Sequence, residues 1–221
     1  MTKTVFVTVG TTLFEDLIQS VTDPLFLNQI ASHGYNRLIV QYGKGKTPQI
    51  RNSHHDQNDG NQKIITLQEG QMKGKYELSG NSTVIEWEIY RFKSSLQEDM
   101  QNADLIISHA GAGSIMEGME HCRNRNCLQD NNDSDKLCDS MKKLVVVIND
   151  KLMDNHQCEL AYALEKRNYL YVLSKPEMVL DTNELDNIVK KFRPKFFEGG
   201  NDTSFGILVE DFMGYNNNKS N

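Results

Sequence analysis

The chain lacks any apolar run long enough to cross a membrane. Its longest uninterrupted run is residues 144–148, against roughly 20 residues for a spanning helix. Basic residues are not in surplus: 24 Lys and Arg against 30 Asp and Glu leave a net charge of −6, which argues against nucleic acid as the main partner. Cysteines number four, and none stands in the paired C-x-x-C spacing of a zinc ribbon. Cys122, Cys127 and Cys138, near His121, therefore read as reduced thiols rather than zinc ligands. The one tryptophan, Trp87, sits in an apolar stretch and reads as a core aromatic. The first residues enter a strand almost at once, without the apolar length or cleavage site of a signal peptide. These absences lead to the expectation of a soluble, cytosolic α/β domain with no metal site. At 221 residues it has room for one sizeable core.

What is present is a repeated device. Residues 4–9 form an apolar, β-branched strand closed by Gly10-Thr11-Thr12, and Thr12-x-x-Glu15 has the spacing of a capping box for a helix over 14–18. Residues 105–108 form a second buried strand, followed by His109, a turn at Gly111-Ala112-Gly113, and a helix opened by Ser114. Further strands are predicted at 37–42, 83–90, 144–148 and 169–173, with a strand or hairpin at 63–67 and helices over 94–103 and from about 154 to 166. Residues 70–80 read as loop. Residues 44–62, including His54 and His55, read as a polar insert with almost nothing to bury, and 122–143 as a second insert. Past Pro194 and Gly199-Gly200, Phe205, Leu208, Val209 and Phe212 recur at helical spacing. The organisation expected is a domain over 1–201 and a helix with a polar tail over 202–221.

Two readings of the 105–117 stretch compete. A glycine turn feeding a helix leaves N–H groups with partial positive charge that suit a phosphate, and glycine lets a ligand approach the backbone. Ser114-x-x-Glu117 is equally a capping box that only satisfies the helix end. Two such turns at one edge of a parallel sheet would form a crevice of the kind that binds ligands in α/β folds. Asp154, Asn155, His156 and Gln157 stand at another strand-to-helix turn and offer the donors and acceptors that sugar hydroxyls need.

His109-x-Gly111-x-x-Ser114-x-x-Glu117 resembles the donor-nucleotide motif of GT-B glycosyltransferases that use UDP-sugars. The runs Phe6-Val-Thr-Val-Gly-Thr11, Arg37-Leu-Ile-Val-Gln-Tyr-Gly43 and Asn149-Asp-Lys-Leu-Met-Asp-Asn-His-Gln157 extend the resemblance to glycosyltransferase family 28. It covers the donor-binding half of the bacterial muramyl-pentapeptide GlcNAc transferase, and the cytosolic subunits of the two-part UDP-GlcNAc transferase of the dolichol pathway. The resemblance implies a Rossmann-like parallel sheet with helices on both faces, equivalent to the C-terminal half of a GT-B enzyme. It implies an inverting transfer of GlcNAc from UDP-GlcNAc to dolichyl-diphosphate-GlcNAc, the second sugar step of N-glycan precursor assembly. Glu117 would then accept from the ribose hydroxyls, and Ser114 with the backbone of Gly111, Ala112 and Gly113 would hold the α-phosphate. His109 with the Gly10, Thr11 and Thr12 turn would take the β-phosphate, making His109 and Glu117 the candidate catalytic residues. Phe92 and Lys93 match the segment that holds uracil by stacking and backbone contact. No Asp-x-Asp pair stands at these turns, so no metal is expected to serve the diphosphate.

The resemblance also implies a membrane-anchored partner, the fourteenth protein of the same pathway, that brings the lipid-linked acceptor. It would recruit this chain to the cytosolic face of the endoplasmic reticulum, partly through Phe205, Leu208, Val209 and Phe212. One departure stands out: Lys151-Leu-Met153 occupies the place where related enzymes put a Gln or Asp-Gln pair against the sugar. Competing readings are a dinucleotide-binding oxidoreductase, whose third glycine is here Met116, and a serine hydrolase, for which Ser114 lacks the G-x-S-x-G elbow. A non-catalytic adaptor that keeps the fold is the third.

Overall fold

The computed structural model describes residues 2–50, 65–66, 71–78, 83–122, 142–149 and 155–195, without the side chains of 65, 66 and 155–157. Its strands are β1 (Thr4–Thr8), β2 (Arg37–Gln41), β3 (Ile65–Thr66), β4 (Met72–Glu77), β5 (Val84–Tyr90), β6 (Leu105–His109), β7 (Lys143–Val147) and β8 (Tyr171–Leu173). They form one sheet in the order β3-β4-β5-β2-β1-β6-β7-β8. From β5 to β8 every pairing is parallel, while β3 and β4 add an antiparallel margin beside β5.

Parallel strands covered on both faces become continuous apolar runs, and β1 and β6 are buried at every position. Alternation divides β1 between two cores. Val5, Val7 and Val9 face α1 (Glu15–Val21) and α2 (Pro24–Ser32), and meet Leu17, Val21 and Phe26 in one core. Phe6 faces the other core, with Met100 of α3 (Gln97–Asn102), Ile115 of α4 (Ala112–His121) and Leu164 of α5 (Asn155–Lys166). The fold is thus the Rossmann-like, doubly covered sheet that the sequence predicts.

Several expectations are corrected. Residues 70–80 are not all loop, because β4 pairs with β5 over six residues. Gly74 within it lies under the indole of Trp87, where a Cβ would sit 2.6 Å from Cε2, so the glycine belongs to the packing and not to a turn. The 44–62 segment does contribute to the core, since Ile50 is buried. Lys143 is the first residue of β7 rather than the end of an insert, and its ammonium donates to the Ile188 carbonyl at 2.9 Å. Helix α2 is absent from the sequence reading. Its start signal is Asp23-Pro24: the Asp23 carboxylate accepts from Leu25 N at 2.7 Å, with proline in the first turn. A 3-10 turn (Pro176–Leu180), α6 (Thr182–Asp186) and a π turn (Asn187–Lys191) follow β8 and were likewise unpredicted. Trp87 is a core residue, as expected. Of the inserts, 51–64 (with His54 and His55) and 123–141 (with Cys127 and Cys138) lie outside the described residues, as does the stretch with Phe205, Leu208, Val209 and Phe212. Among the described residues no helix is long and apolar enough to cross a membrane. No cluster of potential metal ligands is found among them either.

Candidate functional site

The chain runs outward from β1 through β2 to β5, then returns to the opposite side of β1 as β6. The turns leaving β1 and β6 therefore start side by side, at the point where a doubly wound sheet opens a crevice at its carboxyl edge. Thr8 and Ser108 are register partners, so Gly10 and His109 emerge together.

The first wall is the turn after β1. Gly10 has φ +58°, the left-handed region that glycine enters without penalty. Thr12 does not form a capping box: its hydroxyl donates to the Val9 carbonyl at 2.7 Å, and Glu15 accepts from Lys46 N at 3.2 Å. The N-cap of α1 is Phe14, with no side-chain bond. Thr11 is exposed at the tip. A buried amide fixes the turn from below. The Gln41 side-chain carbonyl accepts from the Thr8 hydroxyl at 2.7 Å and from Val9 N at 3.2 Å. Its amide nitrogen donates to the Gly10 carbonyl at 2.7 Å and the Arg91 carbonyl at 2.8 Å.

The second wall is the start of α4. The helix begins at Ala112, two residues earlier than predicted, with Gly111 as its N-cap in extended conformation and no side-chain cap. Ser114 therefore lies inside the first turn. The first helical bond runs from Ile115 N to the Gly111 carbonyl, so the N–H groups of Ala112, Gly113 and Ser114 have no intrahelical acceptor. Neither Ser114 nor Glu117 makes a side-chain hydrogen bond with the described residues, and Glu117 is exposed. The capping reading of Ser114-x-x-Glu117 thus fails on geometry. Ser114 faces the first wall: a Cβ on Gly10 would lie 3.5 Å from its Oγ.

His109 lies between the two glycines. A Cβ on Gly10 would come within 2.9 Å of its Cε1, and one on Gly111 within 3.1 Å of Cδ2 and closer still to Nε2. The ring is buried and its Nδ1 has no hydrogen-bond partner among the described residues. Burial pushes its pKa below the usual histidine value of 6.5, with the nearby Thr8 backbone opposing. The imidazole is therefore neutral at neutral pH.

Phe92 stands at the carboxyl end of β5 with its ring about half exposed (49%). Lys93 beside it is engaged internally: its ammonium lies 2.9 Å from Asp99 Oδ2, 3.2 Å from Glu88 Oε1 and 4.1 Å from the centroid of the Tyr90 ring. Burial would raise the Glu88 carboxyl, but Lys93 and Lys73 outweigh it and hold the group below its usual range. Burial and the 2.5 Å bond to Asp99 push the Tyr90 hydroxyl well above its usual pKa. The Lys93 ammonium is thus held against the end of β5 by Asp99 and Glu88, while Phe92 beside it stays half exposed. Asn155, His156 and Gln157 form the first turn of α5; their side chains, and Asp154 entirely, lie outside the described residues. At the end of β7, buried Asn149 donates to the Leu13 carbonyl at 3.4 Å and ties the turn before α1 to this edge. The sequence reading assigned no role to Gln41 or Asn149. The signal was a polar residue closing an otherwise apolar strand.

This geometry can be set beside known proteins. Residues 4–122 match the glycosyltransferase family 28 C-terminal domain. The human protein named UDP-N-acetylglucosamine transferase subunit ALG13 is 41% identical over 169 residues, 76% of this chain. A protein of the same name from Cryptococcus neoformans is 30% identical over 227 residues, 96% of this chain and 97% of its own length. This chain spans 11% of the human relative and 12% of the mouse one. A solution NMR structure of ALG13 superposes with a TM-score of 0.57 at 25% identity, covering 94% of this chain and 95% of that one. Both turns of the crevice fall within the matched 4–122 segment, which is more than half of the chain, and the chain belongs to the glycosyltransferase family 28 C-terminal domain family.

Proposed function

We propose that this chain is the donor-binding subunit of an inverting glycosyltransferase that takes GlcNAc from UDP-GlcNAc. One observation carries the reading: the N-terminus of α4 is uncapped and abuts the Gly10 turn, while Ser114 and Glu117 remain unengaged by the described residues. Free N–H groups at a helix start favour a phosphate. In this reading the N–H groups of Ala112, Gly113 and Ser114, with the Ser114 hydroxyl, hold the α-phosphate. His109 and the turn of Gly10, Thr11 and Thr12 hold the β-phosphate, Glu117 accepts from the ribose hydroxyls, and Phe92 stacks on uracil. As the bond between the anomeric carbon and the β-phosphate oxygen breaks, negative charge grows on the departing UDP. Preorganised N–H dipoles stabilise that charge, and the diphosphate then needs no metal ion. Asp154, Asn155, His156 and Gln157 are assigned to the sugar.

The relatives are named as subunits, which supports a second chain. We assign to a membrane-anchored partner the acceptor dolichyl-diphosphate-GlcNAc, the group that removes the proton from its hydroxyl, and recruitment to the cytosolic face of the endoplasmic reticulum. Phe205, Leu208, Val209 and Phe212 are assigned to that contact. The test is transfer of labelled GlcNAc from UDP-GlcNAc to the lipid acceptor, with this chain alone, with partner-containing membranes, and with EDTA added. Transfer only in the combined sample, undiminished by EDTA, is expected. Transfer by the chain alone would remove the partner, and loss on chelation would remove the metal-free site. The oxidoreductase alternative would need a glycine fingerprint beginning at Gly111, and Met116 stands at its third glycine position.

A further inference from the structure

We infer that Gln41 is a positioning residue that sets the distance between the phosphate-holding and base-holding walls of the site. The inference rests on the proposed donor reading and deepens it. Gln41 is the last paired residue of β2 on both sides, opposite Thr8 of β1 and Tyr90 of β5. The last backbone bonds at this edge run from Val9 N to the Gln41 carbonyl at 3.3 Å and from Tyr42 N to the Tyr90 carbonyl at 3.0 Å. The side-chain amide carries the pairing one step further in both directions, to Gly10 on one side and Arg91 on the other. Both N–H groups of the amide are used, and its oxygen accepts twice, so its capacity is filled. It is 1% exposed, so no water substitutes for these bonds without a rearrangement. Gly10 begins the turn assigned to the β-phosphate, and Arg91 directly precedes Phe92, assigned to uracil. One buried side chain therefore holds the two ends of a nucleotide diphosphate site in register.

A residue with that role has a distinctive signature. Pyrophosphate alone does not reach Phe92 and uridine alone does not reach the Gly10 turn, whereas UDP needs both at the correct separation, and the advantage of joining the two halves depends on it. The experiment titrates UDP, uridine and pyrophosphate into the full chain and into Gln41→Glu, which keeps an acceptor for Thr8 and Val9 but loses both donors. UDP affinity should fall roughly tenfold, the worth of one to two hydrogen bonds, while uridine and pyrophosphate each change by less than about threefold. Equal losses for all three ligands would mean a general structural role, and an unchanged UDP affinity would mean no role; either overturns the inference. Failure of the unmodified chain to bind UDP would overturn the donor reading and this inference with it. If Gln41→Glu does not fold, Thr8→Val, which removes the hydroxyl bonded to Gln41 and Gly10 N, carries the same comparison.

Discussion

Gly111→Ala tests whether the site is shaped by the fit of His109 between two glycines. Gly111 has φ −69° and ψ 131°, a conformation open to any residue, so alanine meets no backbone strain there. Its Cβ would instead fall within 3.1–3.2 Å of Cδ2 and Cε1 of a buried imidazole, and closer to Nε2. On its other side the ring lies so near Gly10 that a Cβ there would come within 2.9 Å of Cε1, which leaves it little room to retreat. Overpacking of this kind costs about 1–3 kcal/mol, and replacing a glycine N-cap by alanine adds up to about 1 kcal/mol. In a His109→Ala background only the N-cap part should remain. Urea denaturation of the four proteins in this cycle should then give a coupling of about 1–3 kcal/mol between the two positions. A Gly111→Ala cost that is the same in both backgrounds would refute the packing of His109 against this turn.

The same logic at the opposite margin of the sheet concerns Gly74→Ala, whose Cβ would lie 2.6 Å from Trp87 Cε2. It should cost about 1–3 kcal/mol and shift the emission of the single tryptophan; unchanged emission and stability would mean that β4 does not pack there. The depressed pKa of His109 sets a pH window. Between its folded pKa and 6.5 the unfolded chain binds the extra proton, so stability falls as pH drops below about 6.5 and is independent of this group above it. Urea midpoints measured from about pH 7.5 down to 5 should decline less steeply for His109→Asn than for the unmodified chain, and parallel curves would contradict the burial assigned to the ring.

The central sheet was legible because buried parallel strands cannot hide their composition. Residues 4–9, 105–108 and 144–148 have few polar positions, and glycines or polar residues mark where they stop. The positions of His109, Gly10 and Gly111 at one edge followed from that pattern. What escaped depends on partners distant in sequence. Gly74 looks like a loop residue until Trp87, thirteen positions later, is laid on it. Met72, Gly74 and Tyr76 alternate with Lys73, Lys75 and Glu77 on an outer strand, and the lysines made this stretch look solvated. Ile50 is a single apolar residue in a polar run, yet it is buried with residues far from it in the chain. Ser114-x-x-Glu117 matched a capping pattern by spacing alone, but the helix had already begun at Ala112. Gln41 was visible as a polar strand end, but its four partners come from two neighbouring strands.

The claim that the crevice between β1 and β6 receives a uridine diphosphate is tested most directly by calorimetric titration of UDP into the chain and into Glu117→Ala, both in EDTA. UDP should bind the unmodified chain. Glu117→Ala should weaken binding by roughly 1.5–3 kcal/mol, the range for a hydrogen bond to a charged group, with its melting temperature nearly unchanged because Glu117 caps nothing. Absence of UDP binding, or a Glu117→Ala protein that loses stability while binding UDP as before, would contradict the account.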